Sequence, residues 1–253
     1  MTDAKPDLPK PFVPGLIPTL NRRGFMIETL DPFSEEFAAF AGSIEGEALD
    51  LGCAYGVATF AALDAGAGVC ACDMEQGHLD ILWRRASAKQ KKRLRCVVGL
   101  LPDMDFDDNA FGAILCSRVI HFLEGSDVER AVAKMFRWLT PGGKLFLITD
   151  TPYTSIWASG APEYEKKKQE GDPWPGFIPD YSIYLPSDSD FKMDPQFLNP
   201  MDPDILTRVC EEAGLTVERA AFIAGFGKRG QNGDEARDHA AVTALKPHST
   251  RSA

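Results

Sequence analysis

Ala48-Leu49-Asp50-Leu51-Gly52-Cys53-Ala54-Tyr55-Gly56 is the stretch that decides the fold. An apolar run ends in an acid, and a tight turn of small residues leads into Tyr55–Ala65, which reads as a helix. Glycine in such a turn adopts angles closed to other residues and lets a ligand approach the main chain. The spacing is Gly52-x-Ala54-x-Gly56, not the GxGxxG of a dinucleotide loop. Asp50 would also repel a pyrophosphate, whereas a ligand with cationic amine and sulfonium groups suits an acid there.

Outward from this loop, strands and helices alternate. Glu47–Leu51 and Gly68–Cys72 read as strands, with a helix at Glu75–Lys89. Further strands are expected at Leu94–Val98, Phe111–Cys116 and Lys144–Thr149, with a helix at Ser126–Leu139 stopped by Thr140-Pro141-Gly142-Gly143. Upstream, Phe33, Phe37 and Phe40 mark one face of a helix at Pro32–Gly42. After a break, a helix at Asp204–Ala213 leads to strands at Leu215–Ile223 and His239–Leu245. Alternation of this kind implies a parallel sheet with right-handed crossovers. No crossover helix separates the last two strands, so they can pair antiparallel.

The second acid of the pattern is Asp73, which closes Val69-Cys70-Ala71-Cys72-Asp73-Met74. It can accept hydrogen bonds from both hydroxyls of a ribose, and it can also cap the helix that follows. The break at 151–200 is rich in proline and in aromatics, among them Tyr153, Trp157, Trp174 and Tyr181. That is too aromatic for a disordered linker, and it reads as an insertion folded over the sheet. The chain divides into an N-terminal arm (1–30), a core (31–150), a cap (151–200), the completion of the core (201–246) and a tail (247–253). Prolines at 6, 9, 11, 14 and 18 predict an extended arm.

Composition narrows the partners. The net charge of −10 repels a phosphate backbone, so no nucleic-acid partner is expected. The basic run at 89–93 reads as a solvated helix end. The six cysteines fall mostly in apolar runs without a CxxC pair, and the four histidines are scattered, so no metal site is expected. The absence of a signal-peptide pattern and of a long apolar run makes a cytoplasmic protein without membrane contact the expectation. The oligomeric state stays open, a homodimer among the options.

With these residues in view, the chain resembles the class I S-adenosylmethionine (SAM)-dependent methyltransferases of the small-molecule type. The resemblance covers roughly 32–150 and 204–246. It rests on Asp50, Gly52 and Gly56 with Ala54 in place of the middle glycine, and on Asp73. It rests also on Asp103–Phe111, on Thr140-Pro141-Gly142-Gly143-Lys144-Leu145 and on Glu211-Glu212-Ala213-Gly214-Leu215. The resemblance implies a Rossmann-like, doubly wound seven-stranded sheet, mostly parallel with one antiparallel strand, plus the inserted cap.

It also implies that SAM is held by Asp50, Gly52, Cys53, Ala54, Gly56, Asp73 and Met74. The family's acid after the third strand is replaced by Gly99-Leu100-Leu101, which leaves adenine to backbone amides and to Leu100 and Leu101. Ser117 and Arg118 should border the methionine end. Arg118 is equally suited to an acidic substrate or to an acid such as Asp50. Tyr55 is suited to covering the sulfonium or to packing on the arm. His121 is the candidate base for a hydroxyl or thiol acceptor, with a structural role at the sheet edge as the alternative.

Tyr153, Trp157, Trp174 and Tyr181 are the candidate substrate residues of the cap. Asp150-Thr151-Pro152-Tyr153 resembles the DPPY motif of base-amine methyltransferases, but it follows the fifth strand rather than the fourth. The function expected is methyl transfer to the oxygen or nitrogen of a small molecule. A non-catalytic SAM-binding partner protein, a protein or RNA methyltransferase and an NAD(P)-dependent reductase are the competing readings.

Overall fold

The computed structural model describes residues 8–185, 195–226 and 236–248. The expectations for the first seven residues, for 186–194 of the insertion and for the tail beyond 248 lie outside the described residues.

The arm is not simply extended. Leu16–Pro18 (β1) and Phe25–Ile27 (β2) form an antiparallel hairpin, with Leu16 opposite Ile27, Ile17 opposite Met26 and Pro18 opposite Phe25. Its turn uses Arg22 at φ +57° and Gly24 at φ +146°, and the Thr19 hydroxyl donates to the Gly24 carbonyl at 3.0 Å. Proline spacing alone did not reveal this hairpin, because Asn21-Arg22-Arg23-Gly24 supplies the turn.

Helix α1 (Pro32–Ser43) starts at Asp31, whose carboxylate accepts from the Phe33 and Ser34 amides at 3.0 and 2.9 Å. The core follows as β3 (Glu47–Leu51), α2 (Val57–Ala65), β4 (Gly68–Asp73), α3 (Gln76–Arg85), α4 (Ala88–Lys91) and β5 (Leu94–Val98). Next come β6 (Phe111–Ser117), α5 (Gly125–Trp138) and β7 (Leu139–Asp150). The insertion carries α6 (Ala161–Gln169), and α7 (Pro203–Glu212), β8 (Thr216–Ile223) and β9 (His239–Leu245) end the sheet.

The sheet has seven strands in the order β5-β4-β3-β6-β7-β9-β8. β9 runs antiparallel to both neighbours and the other pairings are parallel, as the missing crossover predicted. The chain winds from β3 outward through β4 and β5, then returns to β6 on the other side. The crevice outside the carboxyl ends of β3 and β6 is therefore the switch point where open α/β sheets bind ligands.

Alternation along β6 shows why the sheet is covered on both faces. Ile114 and Cys116 pack with α5 and α7 around Trp138, while Ala113 and Leu115 pack with α1 and α2 around Phe33 and Phe37. The Phe37 and Phe146 rings meet edge to face, with centroids 5.7 Å apart. Burial of each such side chain contributes roughly 2–3 kcal/mol, and truncating one costs about 3–5 kcal/mol.

Several element ends differ from expectation for local reasons. The helix expected from Tyr55 begins at Val57, because Ala54 and Gly56 stand at φ +45° and +89°, outside helical space. The helix expected at 75–89 stops at Arg85 and restarts as α4, where Ser87 and Gln90 form a reciprocal capping box. β7 begins at Leu139 rather than Lys144, with the turn residues bulged: Phe111 pairs with Leu139, and Ala113 already pairs with Lys144.

Candidate cofactor and acceptor site

The loop after β3 shapes one end of a cavity of about 550 Å³. The amides of Gly52 and Cys53 both donate to the Cys72 carbonyl, at 2.8 and 3.0 Å, which folds the loop back onto β4. Gly52 stands at φ +70°, and a Cβ there would overlap Cγ2 of Val119. A Cβ on Gly56 would lie 2.6 Å from Leu82. Ala54 takes a left-handed angle without glycine's freedom, at a cost of about 1–2 kcal/mol. Its amide donates to Oδ2 of Asp73 at 2.9 Å, which holds it there.

Asp50 is 3% exposed and accepts from the Thr59 hydroxyl at 2.6 Å. Burial pushes its carboxyl up to about 6; the Thr59 bond opposes this, and the charge of Asp73 adds to it. Asp73 is also buried, and its Oδ1 accepts from the Glu75 amide at 2.9 Å and faces His78 Nδ1 at 3.0 Å. The N-cap of α3 is Glu75, not Asp73, because Glu75 is the residue that accepts from the Gly77 amide. Met74, Leu100 and Leu101 line the same end; Leu100 is exposed and Leu101 buried.

Ser117 and Arg118 lie where β6 opens into the cavity. Arg118 stands at φ +58° and donates to Asp31 Oδ2 at 3.2 Å and to Ser117 Oγ at 3.0 Å. Its partner is Asp31 rather than Asp50, because the capping residue of α1 reaches over the carboxyl end of the sheet. Burial pushes the Asp31 carboxyl up, but the Arg118 charge and the Ser34 hydrogen bonds outweigh it and hold it below its usual range.

The other end of the cavity is built around β7 and β9. His121 sits buried in a short 3-10 turn, Ile120–Phe122. Its Nδ1 accepts from the Asp150 amide at 3.3 Å and lies 3.3 Å from Thr149 Oγ1. The lone pair therefore faces the backbone and the proton sits on Nε2. Burial pushes the His121 pKa down; Asp150 opposes this, while His239 and Arg118 add to it.

In register across the sheet, His239 Nδ1 approaches Asp150 Oδ1 at 3.0 Å, an ion pair when the ring is protonated. The ring N–H does not point along that line, so the contact lacks hydrogen-bond geometry. Burial raises the Asp150 carboxyl, yet His121, His239 and Arg118 together hold it well below the carboxylate range.

Of the four cap residues, Trp157 and Tyr181 line the cavity and form a small core with Leu198. Tyr153 and Trp174 are not on its lining. Tyr153 bonds to Glu165 beneath the Arg237 guanidinium, which stacks 3.6 Å from its ring centroid. Trp174 packs against Gly125, with the Arg208 guanidinium 4.9 Å above it. Tyr55 does not border the cavity either: its hydroxyl donates to the Pro18 carbonyl at 2.9 Å and its ring packs on the arm.

A family model described as "Methyltransferase domain" matches residues 49–147. The chain is 37% identical over 110 residues to the cypemycin N-terminal methyltransferase of a Streptomyces species, covering 41% of this chain and 42% of that one. It is 34% identical over 103 residues to an uncharacterized methyltransferase of Mycobacterium tuberculosis, covering 41% and 39%. The chain thus spans about two fifths of the length of the curated relatives it matches.

Among solved structures, a SAM-dependent methyltransferase of Methanosarcina mazei superposes with a TM-score of 0.62 at 15% identity, over 86% of this chain and 98% of that one. The glycopeptide N-methyltransferase MtfA, complexed with SAM, gives 0.57 at 22%, over 85% and 86%.

Residues 49–147 thus match a methyltransferase domain, and the fold around them is the one seen in SAM-dependent methyltransferases.

The residues of this site fit SAM as cofactor. Gly52, Cys53 and Ala54 line the cavity, and the buried Asp50 carboxylate beside them is short of a cation. Gly56 is off the lining, packed against Leu82, so its glycine serves the turn. The cavity is within the size range of cofactor sites. Three parts of the candidate site went unread in the sequence. The β1–β2 hairpin roofs the cavity with Thr19, Asn21 and Met26. Thr59 was hidden on the buried face of α2. His239 was hidden at the start of a strand, and only the antiparallel register with Asp150 gives it meaning.

Proposed function

We propose that this methyltransferase moves the methyl group of SAM to a nitrogen or oxygen atom of a small molecule held beneath the 151–200 segment. One observation carries the reading: a single cavity runs from Asp50 and Asp73 to Trp157, Tyr181, Asp150 and His239. Bound cofactor supplies a methyl group already activated on a sulfonium, so the chain needs chiefly to align and to exclude water.

Asp50 receives positive charge in a buried position, and Asp73 presents a carboxylate to the ribose hydroxyls. Gly52, Cys53, Ala54 and Gly56 offer main chain, Met74, Leu100 and Leu101 offer apolar contact to adenine, and Ser117 and Arg118 border the methionine end. Trp157 and Tyr181 wall off the acceptor.

His121 fits a positioning role better than a catalytic one, because its lone pair already meets the Asp150 amide. Where the acceptor must lose a proton, the Asp150–His239 pair is the better placed group. A nitrogen acceptor is the favoured form. Asp31, Asp150 and Asp238 all border this end, an acidic setting for an ammonium group. One relative is named the cypemycin N-terminal methyltransferase, and one structural neighbour is a glycopeptide N-methyltransferase. The net charge of −10 speaks against nucleic acid. Among the described residues no helix is long and apolar enough to cross a membrane.

Calorimetry with SAM, followed by radiolabelled methyl transfer to a panel of primary amines, peptides and matched alcohols, tests this reading. Transfer to amines is the expected result. Absence of SAM binding would overturn it, and binding with no transfer to any acceptor would favour the partner-protein reading.

A further inference from the structure

We propose that His78 is a latch that joins closure of the N-terminal hairpin to the setting of Asp73, so that roof and cofactor acid act as one unit. The proposal rests on the reading of the cavity as a SAM site. His78 lies in the first turn of α3 and is 1% exposed. Its Nε2 accepts the Leu20 amide at 2.9 Å, so that nitrogen carries the lone pair. The proton is therefore on Nδ1, which donates to Asp73 Oδ1 at 3.0 Å. One neutral imidazole thus has both nitrogens engaged, one by the roof and one by the acid.

The surroundings make this a seated contact. Leu20 lies in the turn between β1 and β2, 58 residues away in sequence. Its Cδ1 fills the space 2.8 Å from where a Cβ on Gly77 would stand. Beside it, Tyr55 donates to Pro18 and meets the His78 ring edge to face, with centroids 5.0 Å apart. Asp73 in turn accepts the Ala54 amide, so the ring is linked through one carboxylate to the left-handed residue of the cofactor loop.

On this proposal a ligand enters beneath the hairpin as the hairpin lifts. Lifting withdraws the Leu20 donor and leaves the imidazole free to turn from Asp73. Closing restores both bonds together, and with them the carboxylate orientation. His78 is on this account a positioning residue, which acts on the cofactor through Asp73 and Leu20.

Two amide replacements separate the bonds. In His78→Asn the short amide reaches Asp73 but not Leu20. In His78→Gln the longer carbonyl reaches Leu20 but the donor to Asp73 is lost. Amide hydrogen exchange on the full chain reads the result. Without ligand, Leu20 should exchange about tenfold faster in His78→Asn than in wild type, and near the wild-type rate in His78→Gln. SAM should slow Leu20 in wild type, and its calorimetric affinity should fall about tenfold in both variants.

Equal Leu20 exchange in wild type and His78→Asn would overturn the latch. So would SAM binding that leaves wild-type Leu20 unchanged, a measurement that decides the matter if the buried replacements do not fold. If SAM does not bind at all, the functional reading fails, and the ligand-free comparison of the two variants still decides the latch.

Discussion

Thr59 donates a 2.6 Å hydrogen bond to Asp50, and the two groups are buried together under the cofactor loop. The bond is short and well placed, yet burial outweighs it and lifts the Asp50 carboxyl to about 6. The ligand-free protein therefore holds a charge it would be more stable without.

A prediction follows with its sign. The folded state binds the Asp50 proton more tightly than the unfolded state does. Ligand-free stability accordingly falls as pH rises from about 4 to about 6, and the loss above that range is about 3 kcal/mol. Asp50→Asn should raise the ligand-free Tm at pH 8, leave it nearly unchanged at pH 4, and weaken SAM at least about tenfold. Melting curves at the two pH values, with calorimetry, check this; an unchanged Tm at pH 8 would remove the argument.

Gly52→Ala should abolish measurable SAM binding and destabilise the fold by about 1–3 kcal/mol, since the new methyl overlaps Val119 at a left-handed angle. Adding Val119→Ala should restore part of the stability, because it removes the overlap but not the backbone strain. A double-mutant cycle by urea unfolding measures the coupling; strict additivity would show that the overlap is not what matters.

At the acceptor end, His121→Asn should keep the shape of the kcat/KM pH profile, because His121 is pushed toward neutrality and its lone pair is engaged. Asp150→Asn should lower kcat by about tenfold or more with little change in SAM affinity. Asp150 has a depressed pKa, so its contribution to stability is present above the ordinary carboxylate range and is lost as pH falls through that range. A profile that loses its acid limb in His121→Asn would return the base role to that residue.

Two tryptophans of one segment should behave differently. Trp157→Ala should raise the acceptor KM, since Trp157 lines the cavity. Trp174→Ala should cost about 1–3 kcal/mol through lost packing on Gly125 and Arg208, with KM unchanged. Steady-state kinetics beside thermal unfolding separates them; a KM effect at Trp174 would mean that it reaches the acceptor after all.

The cavity end formed by the loops after β3 and β4 was legible in the sequence because its signals are local. Asp50, the small-residue turn and Asp73 fall within a single strand–helix–strand unit, and periodicity places all three at the carboxyl edge. The other end was not, because its contacts are long-range. Tyr153 and Trp174 looked like Trp157 and Tyr181 in composition, and only tertiary packing turns the first two away. The hairpin was hidden by its prolines, since an Asn-Arg-Arg-Gly turn carries a weaker signal than repeated breakers of helix. Arg118 had two readings in the sequence, and its actual partner, Asp31, lies 87 residues upstream.

The antiparallel β9 has a consequence for how such a chain can diversify. By turning back beside β7, it brings a late residue, His239, against Asp150, at the edge of a crevice whose other wall comes from 151–200 and whose ceiling comes from 16–27. β9 is an internal strand of the sheet, whereas 16–27 and 151–200 lie outside it. The 151–200 stretch can change while the loops after β3 and β4 keep their geometry, whereas the hairpin is tied to Asp73 through His78. A change of acceptor can thus act on the 151–200 stretch alone, while a change in the hairpin or in β9 is felt by the residues bonded to it.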